Sequence, residues 1–77
     1  MDKRSLSIAG HRTSIALEPE FWAALEHIAA RSGLTMTALI CNIDAERQTT
    51  NLSSAARLAV LAWYQQRLAN PDVKPVS

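Results

Sequence analysis

The fold of this chain is decided by the stretch GHRTSIALEPEFW, which occupies residues 10–22. Polar and apolar side chains alternate over residues 12–17, and this period of two is typical of a half-buried β-strand. One face of the strand carries Thr13, Ile15 and Leu17, and the other face carries Arg12, Ser14 and Ala16. A lone strand of this length is not stable in water. The stretch therefore predicts a strand that needs a partner strand.

The residues that follow the strand predict the start of a helix. Pro19 suits the first helical position because proline lacks the N–H that would be unsatisfied there. Glu18 and Glu20 favour the positive end of the helix dipole. Leu17 and Trp22 are placed to form a hydrophobic staple across this helix start.

Three helices are predicted from the helical spacing of apolar side chains, over about residues 19–31, 36–47 and 54–69. Gly33 is expected to end the first helix in the left-handed conformation, and Thr35 to cap the second. Asn51 or Ser53 is expected to cap the third. The third helix is apolar nearly all round, which indicates burial against several neighbours or against a partner chain.

The chain has 77 residues, of which 48% are hydrophobic, so it is predicted to form one small ordered domain. Its one cysteine, Cys41, excludes an intrachain disulfide and fits a reducing compartment. A core this small needs further stabilisation, which leaves oligomerisation as the source. We predict a domain over residues 1–69 and a flexible tail over residues 70–77.

Several classes of function do not fit the sequence. We find no export signal and no run of the roughly 20 apolar residues that a membrane helix needs, so we expect a cytoplasmic protein without a membrane partner. His11, His27 and Cys41 lack the spacing of metal ligands, and we find no arrangement of a nucleophile with a base. We therefore expect no enzymatic activity, no metal and no cofactor. The net charge of +1 does not by itself indicate a nucleic-acid partner.

The segment before the strand allows two interpretations. Residues 4–8 (RSLSI) alternate with Leu6 and Ile8 on one side, and residues 9–11 (AGH) form a candidate turn because glycine tolerates positive φ. This pattern predicts a β-hairpin. The alternative is a flexible basic arm, since basic side chains crowd the first twelve residues.

The order of strand, helix and helix gives the chain a family resemblance. The stretch RTSIALEPEFWAALEHIAARSGLTMTALI, residues 12–40, resembles the ribbon-helix-helix domain of MetJ/Arc-type bacterial repressors, and more narrowly a subfamily of small single-domain bacterial members. The matching features are the alternating strand, the acidic helix start, the LEHIAARSGL helix end and the second helix capped by Thr35. The third helix and the candidate first strand depart from the shortest members.

The resemblance implies a mainly α fold with a short β ribbon, in an intertwined homodimer with an additional C-terminal helix. In that family the strand pairs antiparallel with its copy from a second chain, and the ribbon enters the major groove of double-stranded DNA. The core shared by the two chains would then contain Ile15, Leu17, Phe21, Leu25, Leu39, Ile40 and Ile43.

The resemblance also implies which residues face the bases. Arg12 can donate two hydrogen bonds to guanine, and Ser14 can donate or accept. Ala16 can contact a thymine methyl group.

A second group of residues is expected to contact phosphates. The turn before the second helix presents free N–H groups and the positive end of the dipole, and in the family this turn clamps a DNA phosphate. The residues expected there are Thr35, Met36 and Thr37. Further non-specific phosphate contacts are expected from Lys3, Arg4 and His11.

Two functions follow from this sequence. The first is a DNA-binding dimer that regulates transcription, as a repressor or an autoregulated antitoxin. The second is a module that keeps the fold but binds a protein partner through the third helix or the tail. The second function predicts an exposed apolar patch on the third helix.

Overall fold

The computed structural model describes residues 1–46 and 50–69 and shows a two-stranded sheet followed by three helices. The elements are β1 (Asp2–Ile8), β2 (His11–Leu17), α1 (Pro19–Ser32), α2 (Met36–Glu46) and α3 (Leu52–Ala69). The expected end of the second helix at Arg47 and the expected tail over residues 70–77 lie outside the described residues.

The two strands form an antiparallel hairpin within one chain. Ile8 pairs with His11, so the turn consists of Ala9 and Gly10 alone. Their φ angles of 53° and 83° are both positive, as a type I′ turn requires, and this turn has a twist that matches the flanking strands. Of the two interpretations of residues 4–8, the structure has the hairpin rather than the flexible arm.

β2 therefore has a partner strand in its own chain, in addition to the pairing with a second chain that the resemblance implies. The physical reason is the alternation of residues 2–8, which gives β1 an inner side with Leu6 and Ile8. Within the described residues the sheet contains only these two strands. One edge of β2 is thus paired with β1, and its other edge is not covered by a strand of this chain.

The core lies between the inner face of the hairpin and the three helices. The largest side chains with less than 2% exposure are Trp22, Ile15, Leu17, Leu25 and Ile40. Because Leu17 and Trp22 are both in this core, the predicted contact across the start of α1 fits the structure. The core is thus closed largely within one chain.

One expected core residue of α1 is less buried than predicted. Trp22, Leu25, Ile28 and Ala29 are buried, whereas Phe21 is only half-buried. The indole of Trp22, which is 1% exposed, is the large aromatic side chain that α1 contributes to the buried core. In α2, Leu39 and Ile40 are buried as predicted, and Ile43 is half-buried.

The predicted caps at Gly33 and Thr35 are confirmed. Gly33 has φ of 70°, and the N–H of Leu34 donates to the carbonyl of Ala29 at 2.9 Å, which closes α1 with a Schellman-type cap. The Thr35 hydroxyl accepts a hydrogen bond of 3.0 Å from the N–H of Ala38. These contacts fix the turn between α1 and α2.

Of the two candidate caps for the third helix, Asn51 is the one used. Its Oδ1 accepts a hydrogen bond of 3.2 Å from the N–H of Ser54. α3 accordingly starts at Leu52, earlier than predicted.

An ion pair ties α3 to the start of α1. Nε and Nη2 of Arg57 each lie 3.1 Å from Oε1 of Glu18. The backbone hydrogen bond of Glu18, together with the bond and the charge of Arg57, holds the pKa of this carboxyl below its usual value. The guanidinium of Arg57 also lies 5.8 Å from the ring centre of Phe21.

Candidate nucleic-acid interface

The face of the hairpin that points away from the helices, called here the outer face, is built from both strands. Directly opposite residues of an antiparallel pair share a face. The three pairs on this face are Lys3 with Ala16, Ser5 with Ser14, and Ser7 with Arg12. The hydroxyl oxygens of Ser5 and Ser14 are 3.2 Å apart, which ties the two strands together at the centre of this face.

The chemistry of the outer face suits a polyanion. Five of its residues are exposed and Ala16 is half-buried. The six side chains include two cations, Lys3 and Arg12, and no carboxylate. The other four are three serines and an alanine, so the surface between the cations is shallow and carries hydroxyl groups. The structure thus brings together the expected base-contact residues and one expected phosphate-contact residue, Lys3.

Arg4 is not part of this surface. It pairs with Ile15 on the inner side of the hairpin. Its Nη1 lies 3.1 Å from Oε2 of Glu26, and its guanidinium carbon lies 4.5 Å from the centre of the Trp22 ring. The side chain thus lies on the side opposite to Lys3 and has its charge matched by a carboxylate. This position argues against the expected phosphate contact at Arg4.

His11 lies at the end of the hairpin. It is exposed and is the first residue of β2, opposite Ile8 and directly after the turn. Because it shares a face with Ile8, it lies at the turn end of the hairpin on the side opposite to the outer face.

The remaining expected phosphate contacts cluster at the start of α2. Thr35 and Thr37 are exposed, and Met36 is half-buried against the core. The hydroxyl oxygen of Thr35 accepts from the helix, and its hydrogen can still be donated outward. α2 packs against β1, which links this helix start to the hairpin.

Two residues of the outer face were missed by sequence reasoning. Ser5 and Ser7 of β1 lie beside Ser14 and Arg12, respectively. The alternation of residues 4–8 could have identified both serines, because it places them opposite to Leu6 and Ile8.

α3 carries the exposed apolar patch that the protein-interaction function predicts. Its members are Leu58 (59% exposed), Leu61 (52%), Tyr64 (39%) and Leu68 (81%). Their spacing of three or four residues places them along one side of the helix. Within its own chain α3 buries the side with Ala55, Ala56 and Val60, and burial of its other side against a partner chain stays a prediction.

Neither a membrane-spanning helix nor a cluster of metal ligands is found in residues 1–46 and 50–69. None of the helices there combines the length and the hydropathy that a membrane span requires. In the same ranges, no three histidine, cysteine or acidic side chains are grouped so that they could hold a metal ion.

The comparisons with known proteins agree with the order of the elements. A family model described as "Ribbon-helix-helix domain" matches residues 1–64, which include the hairpin, α1, α2 and most of α3. Neither the curated proteins nor the solved structures contain a match. Proteins with this domain are in general DNA-binding transcription regulators, have a non-enzymatic fold and typically form dimers. With most of its length matched and the expected elements in place, the chain belongs to the ribbon-helix-helix family.

Proposed function

We propose that the protein is a cytoplasmic, sequence-specific DNA-binding homodimer that regulates transcription, as a repressor or an autoregulated antitoxin. The observation that carries this proposal is the outer face of the hairpin, where Arg12 and Ser14 are exposed on the same face as Lys3, with no carboxylate among the six side chains. A two-stranded ribbon fits into a major groove about 12 Å wide.

Base recognition is assigned to β2. Arg12 donates two hydrogen bonds to O6 and N7 of guanine, which is the commonest specific contact of a side chain with DNA. Ser14 meets a donor or an acceptor on a base edge, and Ala16 contacts a thymine methyl group. Because Ser14 and Ala16 are short, Arg12 carries most of the discrimination.

Phosphate contacts are assigned to three places. The first turn of α2 offers the backbone N–H groups of Met36 and Thr37 and the hydroxyls of Thr35 and Thr37. Lys3 supplies a charge on the outer face, and His11 adds a contact beside the turn. Arg4 is left out because its guanidinium is held on the inner side by Glu26.

The second copy is assigned to the uncovered edge of β2. In a hairpin with a two-residue turn, the two residues that flank the turn bond to each other through both backbone groups. Along the strand, such hydrogen-bonded pairs then alternate with pairs whose backbone groups point away from the partner strand. The backbone groups of Arg12, Ser14 and Ala16 therefore point to the uncovered edge. A two-fold axis through an antiparallel pair of these edges sets Ser14 opposite its own copy.

The test is DNA binding by Arg12→Ala. The side chain is exposed, so the variant should keep its fold. Loss of a bidentate arginine–guanine pair costs about 1–3 kcal/mol of discrimination, and a symmetric dimer loses two pairs. Binding to DNA from the gene's own upstream region and to scrambled DNA should be measured for both proteins. Equal affinity of Arg12→Ala and wild type for the upstream DNA would remove Arg12 as the reader.

Thr37→Ala serves as the comparison variant. Phosphate contacts carry no sequence information. Its affinity should therefore fall by the same factor on upstream and scrambled DNA, in contrast to Arg12→Ala.

A second candidate function is favoured by the apolar patch of α3. In this alternative a protein partner binds Leu58, Leu61, Tyr64 and Leu68. Leu61→Glu should then abolish regulation of a reporter in the cell while DNA binding in the test tube is unchanged. Unchanged regulation would exclude a role for Leu61 in such an interaction.

A further inference from the structure

β1 exposes a second row of polar groups on the outer face. Lys3, Ser5 and Ser7 alternate along the strand and are all exposed. They lie directly opposite residues of β2, and the hydroxyl of Ser5 is within 3.2 Å of that of Ser14. Each residue of the row therefore lies directly across the hairpin from a residue that is assigned to base recognition.

β1 is held firmly against the body of the protein. The indole Nε1 of Trp22 donates to the backbone carbonyl of Asp2 at 2.8 Å. Arg4, two residues further on, is bonded to Glu26 of α1. A strand anchored in this way presents its outer groups in a fixed position, as a flexible arm would not.

The width of the proposed dimer places β1 over the DNA backbone. Neighbouring strands lie about 4.8 Å apart, so four strands in the order β1, β2, partner β2, partner β1 span roughly 14 Å between the outer strand axes. The major groove is about 12 Å wide. The central pair can therefore enter the groove, while each β1 meets the sugar–phosphate chain at its wall.

We infer that β1 is a phosphate-contact strand, and that the DNA-binding surface is four strands wide with Ser5 and Ser7 as phosphate ligands beside Lys3. Serine hydroxyls, lysine ammonium groups and backbone N–H groups are all common phosphate donors. These three residues are in the pairs that are not hydrogen-bonded across the hairpin. Their backbone N–H groups therefore point to the uncovered edge of β1. The short serines let the backbone approach closely. This inference rests on the proposed function.

Charge variants of Ser5 test the inference. Ser5→Glu places a carboxylate beside a phosphate on both sides of the dimer. At about 0.1 M salt it should weaken binding to upstream and scrambled DNA alike, by at least about fivefold. Ala23→Glu, at an exposed position of α1, makes the same change in net charge and should alter affinity by less than about twofold.

Ser5→Arg tests the same position with the opposite sign. It adds two phosphate-facing charges per dimer and should raise affinity for both DNAs. The slope of log K against log salt should become steeper by about 2, since each neutralised phosphate contributes roughly 0.9. Circular dichroism and melting of each variant confirm that the fold is kept.

The outcomes separate this inference from the proposed function. If wild type binds DNA through Arg12 but both Ser5 variants match it, β1 is not a phosphate-contact strand and the proposed function stands. An effect of Ser5→Glu on upstream DNA alone would assign β1 to base recognition and overturn the inference. If wild type does not bind DNA at all, both fail.

Discussion

Trp22 and Asp2 are joined by a hydrogen bond of 2.8 Å from the indole Nε1 to the backbone carbonyl. The indole is 1% exposed, so the bond fastens the first residue of β1 to the buried face of α1. The same ring lies under the guanidinium of Arg4 at 4.5 Å. One side chain thus holds β1 in place through two contacts.

Trp22→Phe should loosen β1 selectively. The phenyl ring keeps an aromatic face for Arg4 but cannot donate to Asp2, and loss of such a bond costs about 1 kcal/mol in addition to any cavity. Amide exchange over residues 2–8 should become faster. Trp63→Phe, at a half-buried position of α3, is the control and should leave amide exchange in β1 unchanged. Equal exchange in Trp22→Phe and wild type would show that this bond does not hold the strand.

The turn predicts opposite effects at its two residues. Ala9 has φ of 53°, a left-handed conformation that costs a non-glycine residue about 1–2 kcal/mol but is better tolerated by asparagine. Ala9→Asn should raise the free energy of unfolding by a few tenths to about 1 kcal/mol.

Gly10→Ala should lower the free energy of unfolding by about 1 kcal/mol through backbone strain alone. A Cβ at this position would meet nothing within 4 Å, so no steric clash contributes. Urea denaturation of both turn variants measures the two shifts. A loss of stability in Ala9→Asn would contradict the type I′ turn.

The two faces of β2 predict a sharp contrast between residues of one strand. Ile15 is 1% exposed, and Ile15→Asp would bury an unpaired carboxylate, which should unfold the protein. Arg12→Asp, on the exposed outer face, is the control for the new carboxylate and should melt near wild type. If Ile15→Asp left the melting temperature unchanged, the strand would be out of phase by one residue. Leu17→Ala should cost about 2–5 kcal/mol.

The pKa of Glu18, lowered first by its backbone hydrogen bond and then by Arg57, predicts a pH dependence of stability. The pKa of Glu18 is lowered in the folded chain, so its stabilising effect is present above the unfolded pKa of about 4.3 and is lost as pH falls through the folded pKa. Glu18→Gln should therefore flatten the stability profile in that acid range. Thermal melts between about pH 3 and pH 6 measure this. Glu20→Gln, in the same helix turn, is the control, and an equal flattening there would contradict the assignment to Glu18.

The dimer proposed through the uncovered edge of β2 can be tested by crosslinking. Hydrogen-bonded antiparallel pairs have Cα atoms about 5.5 Å apart, which suits a disulfide. In a Cys41→Ser background, Ser14→Cys should form a covalent dimer on oxidation. Ser5→Cys, on the same face of the sheet, should not, because in that dimer the two copies of β1 lie three strands apart. The reverse result would place β1 at the dimer axis.

Local signals in the sequence predicted most of the elements. The caps at Gly33 and Thr35 depend on a few neighbouring residues, so their chemistry is visible in the chain. The phase of β2 was predicted because alternate side chains must separate to its two faces.

What the sequence did not decide depends on contacts between distant residues. The sequence left residues 4–8 open between a hairpin and a flexible arm, and the bonds of Asp2 and Arg4 to α1 join residues far apart in the chain. The burial of Trp22 rather than Phe21 likewise depends on how α1 packs against the rest of the core. The exposed side of α3 was likewise hidden, because its apolar residues surround the helix in sequence and only packing selects the buried ones.

The pairing of β2 with β1 of the same chain has a consequence for how the protein folds. The pairs of this hairpin are separated by 3 to 15 positions along the chain, from Ile8 with His11 to Asp2 with Leu17. A β-hairpin forms within about 1–10 microseconds, and contacts between residues that are close in the chain favour rapid folding. Each newly synthesised chain can therefore complete its ribbon before it meets another. In the proposed dimer, association would then join two chains whose hairpins have already formed, and its rate would depend on concentration while hairpin formation would not.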